Sequence, residues 1–141
     1  MRMILYTDGA ARGNPGPAGL GVVVADSDGK TLAEVATYLG KATNNQAEYQ
    51  ALIAGLEKAL ALGATAVAIR SDSELMVRQL NGAYKVRNEG IKPLYAKAVG
   101  LLSRFAQYTI DHIPRELNSR ADALANRAIN SHGSSLTRSV T

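Results

Sequence analysis

The chain has 141 residues, of which 46% are hydrophobic and 20% are charged, a composition typical of an ordinary globular protein. This length allows one domain with a sizeable core and is too short for two. The formal charge of +4 favours a polyanionic partner. The lack of cysteine excludes disulfides and thiolate metal sites. Because neither a signal-peptide pattern nor an apolar run of membrane length is present, we expect a cytoplasmic protein that does not bind membranes.

The first part of the chain predicts an antiparallel meander of three strands. An apolar run of strand-forming residues ends at Asp8, and a turn dense in Gly, Asn and Pro follows. A second strand is predicted over 20–25 and a third over 31–39, joined by a hairpin-like turn.

The hydrophobic period then changes to that of a helix. Residues 43–46 (Thr-Asn-Asn-Gln) have the form of a capping box, which predicts a helix that ends at Gly63. The remaining pattern predicts a buried strand over 66–70, helices over 73–80 and 91–105, a strand over 108–113, and a last helix that begins with a second capping box at 119–122. The order β-β-β-α-β-α-α-β-α predicts an α/β fold with a mixed sheet and helices on its faces. Residues 131–141 predict a polar, disordered tail, which leaves 1–130 as the domain.

Four acidic residues occupy similar places in the predicted elements. Asp8 and Asp72 close strands, whereas Glu48 and Asp122 are placed in the first turns of helices. Each also has a structural explanation, because Asp8 could serve its turn or pair with Arg12, Asp72 could cap the next helix, and the other two favour a helix dipole. Strand ends and helix N-termini gather at one edge of an α/β sheet, so we expect the four carboxylates to converge.

Converging carboxylates predict a site for two divalent cations. Two carboxylates ~4 Å apart repel by roughly 4 kcal/mol at an effective dielectric constant of 20, so a cluster of four needs compensating charge. Mg²⁺ takes hard oxygen ligands, and a pair of such ions stabilises the attacking and leaving oxygens of phosphodiester cleavage. With no cysteine and two histidines, the chain fits zinc chemistry poorly, and it has no GxxxxGK[ST] phosphate loop.

Four motifs resemble those of the type 1 ribonucleases H, in order and in spacing: YTDGAARGNPGP, TNNQAEYQALIAGL, SDSELMV and NSRADALANRA. The likeness covers residues 1–130 and is to the compact bacterial and archaeal form, including the domain that some actinobacteria fuse to a phosphatase. It implies a ribonuclease H-like fold, with a five-stranded mixed sheet of three antiparallel strands followed by parallel ones. It also implies endonucleolytic hydrolysis of the RNA strand of RNA/DNA hybrids with two Mg²⁺ ions, or Mn²⁺ as a substitute, leaving 5′-phosphate and 3′-hydroxyl ends.

The resemblance also assigns roles to residues. The acidic tetrad of the family falls on Asp8, Glu48, Asp72 and Asp122. We expect Asp8 to bridge both ions, Glu48 and Asp72 to bind one, and Asp122 to bind the other. The substrate-binding positions of the family fall on Asn14, Lys41, Thr43, Asn44, Asn45 and Asn88, of which Thr43, Lys41 and Asn88 would hold a phosphate of the DNA strand. The alternatives are ordinary ones: turn residues, a solvated lysine and a helix cap.

Two features depart from the family pattern. The better-known members carry a basic protrusion rich in Lys and Trp, whereas here residues 81–91 are too few to form it and the chain has no Trp. Six basic residues between positions 78 and 104 could replace it, or could form only a solvated face. The loop at 114–119 also lacks the mobile histidine of many members. Arg115 or Glu116 could take that place, and His112 is predicted to have a structural role on its strand.

Other readings of the sequence remain open. Transposases and Holliday-junction resolvases share this fold and similar acids, but generally lack the TNN and GNPG elements. A non-catalytic hybrid-binding module would be expected to have lost one of the acids. A ribonuclease H domain processed from a reverse transcriptase is a third alternative, against which the start at Met1 speaks mildly. We expect a monomer without an obligate protein partner.

Overall fold

A five-stranded sheet forms the centre of the molecule in a computed structural model, which describes residues 1–132. Its strands are β1 (Arg2–Ala11), β2 (Gly16–Asp26), β3 (Thr31–Ala42), β4 (Ala66–Ser71) and β5 (Gln107–His112). The helices are α1 (Asn44–Ala61), α2 (Glu74–Leu80), α3 (Lys92–Leu102) and α4 (Ser119–Asn130), and a 3₁₀ turn (Arg115–Asn118) precedes α4.

The order of the strands in the sheet is β3-β2-β1-β4-β5. The pairs β1–β2 and β2–β3 are antiparallel, whereas β1–β4 and β4–β5 are parallel. This confirms the predicted fold class, including a meander of three antiparallel strands followed by parallel ones. In β4, Val67, Ala68 and Ile69 are almost fully buried, as expected for a central parallel strand, whereas Ala66 and Arg70 are half-buried.

Helices cover both faces of the sheet. On one face, Gly55 of α1 lies against Leu5, Thr7 and Val22 of β1 and β2. On the other face, α4 packs on β2, where the backbone of α4 comes very close to Gly21. The buried apolar side chains between α1, α3 and the sheet form the main core. None of the helices in residues 1–132 is long and apolar enough to cross a membrane.

The sequence predicted that the first strand ends at Asp8, but β1 continues to Ala11. The reason is that β1 has two different neighbours. Its pairing with β4 stops at Thr7, opposite Ser71, whereas its pairing with β2 continues as far as Ala11. Asp8 is therefore the first residue beyond the parallel pairing, although it is still part of the strand.

The start of α1 confirms the first predicted capping box. The Thr43 hydroxyl accepts a hydrogen bond from the Gln46 amide, and the Gln46 side chain accepts one from the Thr43 amide. The sequence predicted Glu48 in the first turn of this helix. Because α1 begins at Asn44, Glu48 lies in the second turn instead.

The second predicted capping box is wrong. Helix α4 begins at Ser119, its N-cap is Asn118, and no side chain caps it. The 3₁₀ turn leads directly into α4, and the side chain of Asn118 is used elsewhere, in a bond to β1. Asp122 does lie in the first turn of α4, as predicted.

The predicted tail begins within the described residues. Ser131 caps the end of α4, and the ring of His132 stacks on Tyr38 of β3 with 4.4 Å between the ring centroids. Residues 133–141 lie outside the described part of the chain, so the prediction of a disordered tail stays a prediction for them.

Replacing Gly9 by alanine is expected to destabilise the fold. A Cβ atom at Gly9 would lie 2.2 Å from the backbone carbonyl carbon of Ala47, so α1 would have to move away from β1. We expect the free energy of unfolding to fall by about 2 kcal/mol, as for other overpacked sites. Urea unfolding of Gly9→Ala measures this.

Gly100→Ala provides the matched control. Gly100 lies inside α3, and a Cβ atom added there would meet nothing within 4 Å, so alanine should leave stability unchanged or raise it by about 0.5–1 kcal/mol. Equal stabilities for the two variants would contradict the close approach of α1 to β1.

Candidate active site

The parallel pairing of β1 and β4 brings two of the predicted acids together. Thr7 lies opposite Ser71 in the register, so Asp8, within β1, and Asp72, directly after β4, lie side by side at one edge of the sheet. Asp8 is 4% exposed, although it is a carboxylate. Oxygens of Asp8, Glu48 and Asp72 all lie within 4.8 Å of one another. The predicted convergence of these three residues is therefore present.

Glu48 reaches this cluster from α1, and the backbone of β1 holds it there. One oxygen of Glu48, Oε1, accepts a hydrogen bond of 3.0 Å from the amide of Gly9. The bond is possible because residue 9 has no side chain: a Cβ atom would lie 2.3 Å from the Glu48 amide nitrogen. Gly9 thus lets α1 approach β1 closely, and its amide fixes the direction of the Glu48 carboxylate.

Asp122 approaches Asp8 from the opposite face, on α4. After burial, Glu48 and Asp72, the neighbouring carboxyl group of Asp122 also raises the pKa of Asp8. Here too a glycine permits the approach, because a Cβ atom at Gly21, the β2 partner of Asp8, would lie 2.1 Å from the carbonyl oxygen of Ala121. The buried side chain of Asn118 donates a hydrogen bond of 2.9 Å to the carbonyl of Thr7 and so fixes the start of α4 to β1.

The crowding of these carboxyl groups shifts their acidity. Burial, the charge of Glu48 and then the charge of Asp72 raise the pKa of Asp8 far above its ordinary value of 3.8. Burial likewise raises the pKa of Glu48 to about 8, with smaller increases from Asp72 and Asp122 and an opposing effect of the Gly9 amide. Both pKa shifts have the same causes, burial first and then the charges of the neighbouring carboxylates.

The donor set fits divalent cations. It consists of carboxylate oxygens alone, which are the ligands of hard ions such as Mg²⁺ and Mn²⁺, and cations would remove the repulsion that raises the two pKa values. The acids line an open cavity of about 580 Å³, large enough to admit a phosphodiester. Asp122 lines this cavity as well, although it is not one of the three residues within 4.8 Å of one another.

Two predicted substrate-binding residues interlock beside the cavity. The Asn14 side chain accepts a hydrogen bond from the Asn44 amide, 3.0 Å, and the Asn44 side chain accepts one from the amide of Ala11, 3.1 Å. These bonds tie the turn after β1 to the first residue of α1. Asn44 lines the cavity, and the Thr43 side chain caps the same helix.

The remaining three predicted substrate-binding residues are not among those that line the cavity. Lys41 is exposed near the end of β3, and Asn45 is half-buried in the first turn of α1. Asn88 is exposed and accepts a hydrogen bond of 2.7 Å from the Gly90 amide. Gly90 lies against the Gln46 side chain, so the segment around Asn88 is close to the start of α1.

The cavity also contains polar residues that sequence reasoning missed or interpreted differently. His112 ends β5, as predicted for a strand residue, but it is exposed and lines the cavity, so the structure does not support the structural role expected for it. Arg115 lines the cavity, 4.0 Å from Asp122, whereas Glu116 is absent from the lining. Arg12 does not pair with Asp8 but donates to Asn126, one turn after Asp122. Only the four-residue spacing on α4 could have indicated Asn126.

Comparison with known proteins supports the family resemblance that the sequence motifs indicated. A family model described as "Reverse transcriptase-like" matches residues 6–128. Ribonuclease HI of Halobacterium salinarum is 47% identical over 128 residues, which are 91% of this chain and 64% of that protein. The bifunctional protein Rv2228c of Mycobacterium tuberculosis is 47% identical over 130 residues, 92% of this chain and 36% of that protein. The chain therefore spans only part of the length of these relatives.

Solved structures agree over nearly the whole domain. The crystal structure of ribonuclease H1 from H. salinarum superposes with a TM-score of 0.91 at 46% identity, covering 93% of this chain and 99% of that one. LC11-RNase H1, solved in complex with an RNA/DNA hybrid, gives a TM-score of 0.88 at 47% identity, covering 92% and 98%. On its sequence, its sheet topology and its cluster of acids, the chain belongs to the type 1 ribonuclease H family.

Proposed function

We propose that this chain hydrolyses the RNA strand of RNA/DNA hybrids as an endonuclease, using two divalent cations and leaving 5′-phosphate and 3′-hydroxyl ends. The observation that carries the proposal is the cluster of Asp8, Glu48 and Asp72, whose oxygens lie within 4.8 Å of one another in an open cavity. The similarity to LC11-RNase H1, whose complex contains such a hybrid, supports the choice of substrate.

Each acid has a part in this proposal. Asp8 interacts with the other three acids, so we assign it to both ions, with Glu48 and Asp72 binding one ion and Asp122 the other. The Gly9 amide uses one of the lone pairs of the Glu48 carboxylate and fixes its direction, and the remaining lone pairs are left for a cation. Two bound cations would activate the attacking water and stabilise the charge that develops on the departing 3′-oxygen. The protein's contribution is to hold the carboxylates and exclude bulk water around Asp8, which is almost fully buried.

The start of α1 is the proposed contact with the hybrid. Thr43, Asn44 and Asn45 present hydrogen-bonding groups close to the cavity, and the hydrogen bonds of Asn14 hold this region in place. Such groups suit the shallow minor groove of a hybrid, where ribose 2′-hydroxyls distinguish RNA from DNA. Lys41 and Asn88, with Thr43, are the proposed phosphate contacts on the DNA strand, which position the duplex without reading its sequence.

Two exposed cations extend this contact. Among the six basic residues that could replace the missing protrusion, Arg78, Lys92 and Lys97 form ion pairs with Glu74, Glu89 and Glu57. Lys85, Arg87 and Arg104, by contrast, have no ion-pair partner within residues 1–132. Of these, Lys85 and Arg87 lie on the connection that brings Asn88 and Gly90 to the start of α1, whereas Arg104 lies before β5 at the opposite end of the sheet. We therefore assign Lys85 and Arg87 to phosphates of the hybrid.

Replacing Asp8 by asparagine should abolish cleavage and leave hybrid binding intact. The change keeps the shape of the side chain but removes the charge shared by both proposed ions, so we expect turnover to fall more than about 100-fold. This loss is larger than the roughly 10–100-fold effect that is typical when a group that only orients a metal ligand is removed. Cleavage is measured on a labelled hybrid, a duplex RNA and a duplex DNA, each with Mg²⁺, Mn²⁺ or chelator. Binding is measured by fluorescence anisotropy in chelator.

The wild-type protein should cut only the RNA strand of the hybrid, only with a divalent ion, and leave 3′ ends that a polymerase can extend. Asp28→Asn is the control, since it removes an exposed aspartate from the β2–β3 turn. Turnover by Asp8→Asn at the level of this control would exclude the proposed role of the cluster, and cleavage of duplex DNA would exclude the proposed substrate.

Replacing Asp72 by asparagine should stabilise the cation-free protein. It removes one of the charges that raise the pKa values of Asp8 and Glu48. A relief of about 1 kcal/mol would raise Tm by roughly 3–5 °C for a chain of this length. Thermal unfolding in chelator gives the result, with Asp28→Asn as the control. A lower Tm for Asp72→Asn would show that the acids stabilise the fold instead.

The stability gained by Asp72→Asn in chelator should increase with pH. The folded-state pKa of Glu48 is about 8, above its ordinary 4.5, so its contribution to stability is complete below about pH 4 and is lost as the pH rises towards 8. Asp8 acts in the same direction. The wild-type protein should therefore lose stability between pH 5 and pH 8 in chelator, and the advantage of Asp72→Asn should grow over this range.

Replacing Lys85 and Arg87 together by alanine should lower the affinity for the hybrid and make that affinity less dependent on salt concentration. Each lost phosphate contact lowers the slope of log K against log salt by about one, so the double alanine variant should show a slope less steep by about two. Binding in chelator at several salt concentrations measures this slope.

The matched control is the double alanine variant of Lys30 and Arg104. It removes the same charge from the opposite end of the sheet, where β2 ends and β5 begins. If both variants bind with the same slope, overall charge is responsible and the assignment of Lys85 and Arg87 is wrong.

A further inference from the structure

Helix α4 presents a second polar residue to the cavity one turn after Asp122. Asn126 lies four residues later on the same face, and both side chains line the cavity. The amide nitrogen of Asn126, Nδ2, donates to the backbone carbonyl of Asp122 at 3.0 Å and to its carboxylate Oδ1 at 3.3 Å. Asn126 therefore holds both the backbone and the carboxylate of Asp122 with one amide group.

The orientation of this amide is fixed by a third residue. A side-chain amide can rotate by 180°, which would turn its oxygen towards Asp122 and replace attraction by repulsion. The guanidinium of Arg12 prevents this, because it donates to Oδ1 of Asn126 at 3.3 Å and cannot accept a hydrogen bond from a donor at that position. Arg12, Asn126 and Asp122 thus form a chain of hydrogen bonds from the turn after β1 to α4.

Asp122 needs such support more than the other acids do. Asp8, Glu48 and Asp72 have oxygens within 4.8 Å of one another, and Glu48 is held by a backbone amide, whereas Asp122 is not part of this group and its side chain is 33% exposed. Its other cationic neighbour, Arg115, is 79% exposed and 4.0 Å away, too far and too free to fix a carboxylate.

We propose that Asn126 is a positioning residue which, with its amide oriented by Arg12, directs the carboxylate of Asp122 towards a divalent cation. The inference rests on the proposed function, because it takes Asp122 to be a metal ligand. Groups that orient a metal ligand typically change metal affinity or activity 10–100-fold when they are removed. Asn126 does not touch the substrate or the cation in this proposal; it acts through Asp122.

The test measures metal binding in the absence of turnover. Each variant is saturated with a hybrid whose RNA strand carries 2′-O-methyl groups at the cleavage positions, and Mn²⁺ is added while the free ion is followed by electron paramagnetic resonance. In Asn126→Ala the Mn²⁺ concentration for half-saturation of the weaker site should rise about 10-fold or more. In Arg12→Met, which frees the amide to rotate, it should rise by a smaller factor. Hybrid affinity in chelator and the cation-free Tm should not change for Asn126→Ala.

Asn130→Ala is the matched control, since it makes the same change at an exposed position near the end of the same helix. Mn²⁺ binding by Asn126→Ala within twofold of this control would overturn the inference. Asp122→Asn distinguishes a failure of the inference from a failure of the proposed function. If Asp122→Asn weakens Mn²⁺ binding and Asn126→Ala does not, only the inference fails. If Asp122→Asn leaves both Mn²⁺ binding and cleavage unchanged, the proposed ligand set fails and the inference fails with it.

Discussion

The repulsion between buried carboxylates is the constraint on which the arrangement of this domain depends. Asp8 is almost fully buried and has two other acids within 4.8 Å, an arrangement that opposes folding unless cations are bound. The fold enforces it through the backbone. Glycines at positions 9 and 21 let α1 and α4 approach the same end of β1 from opposite faces of the sheet, closer than any side chain would allow. The main core, which lies between the sheet, α1 and α3, supplies the favourable free energy that holds these elements together.

Much of this was predictable because it depends on local patterns. Hydrophobic periodicity located the strands and helices, and the short turns indicated the antiparallel meander, whereas the parallel strands that follow were implied by the resemblance to the type 1 ribonucleases H. Once β1 and β4 are placed as parallel neighbours, the register alone brings Asp8 beside Asp72. The capping box at Thr43 correctly fixed the start of α1, and hence the position from which Glu48 reaches the cluster.

The parts that sequence reasoning missed depend on contacts between distant segments. A strand pattern cannot show that β1 loses one neighbour at Thr7 and keeps the other up to Ala11. The local pattern at 119–122 fits a capping box, yet the chain is already helical there and Asn118 bonds to β1 instead. The place of His112 in the cavity likewise depends on how β5 aligns with β4, and on the open end of the sheet beyond them.

Helix α1 connects the proposed substrate contact to the proposed cation site. The first residue of α1, Asn44, is tied by hydrogen bonds to the turn after β1, and one turn later the same helix carries Glu48, which is bound to Gly9. In the proposed function, therefore, the residues that grip the hybrid and one of the residues that bind the cations belong to a single rigid element. Arg12 lies in the turn to which Asn44 is tied and reaches α4 through Asn126. The turn after β1 is therefore hydrogen-bonded to both helices that carry proposed ligands, to α1 through Asn44 and to α4 through Asn126.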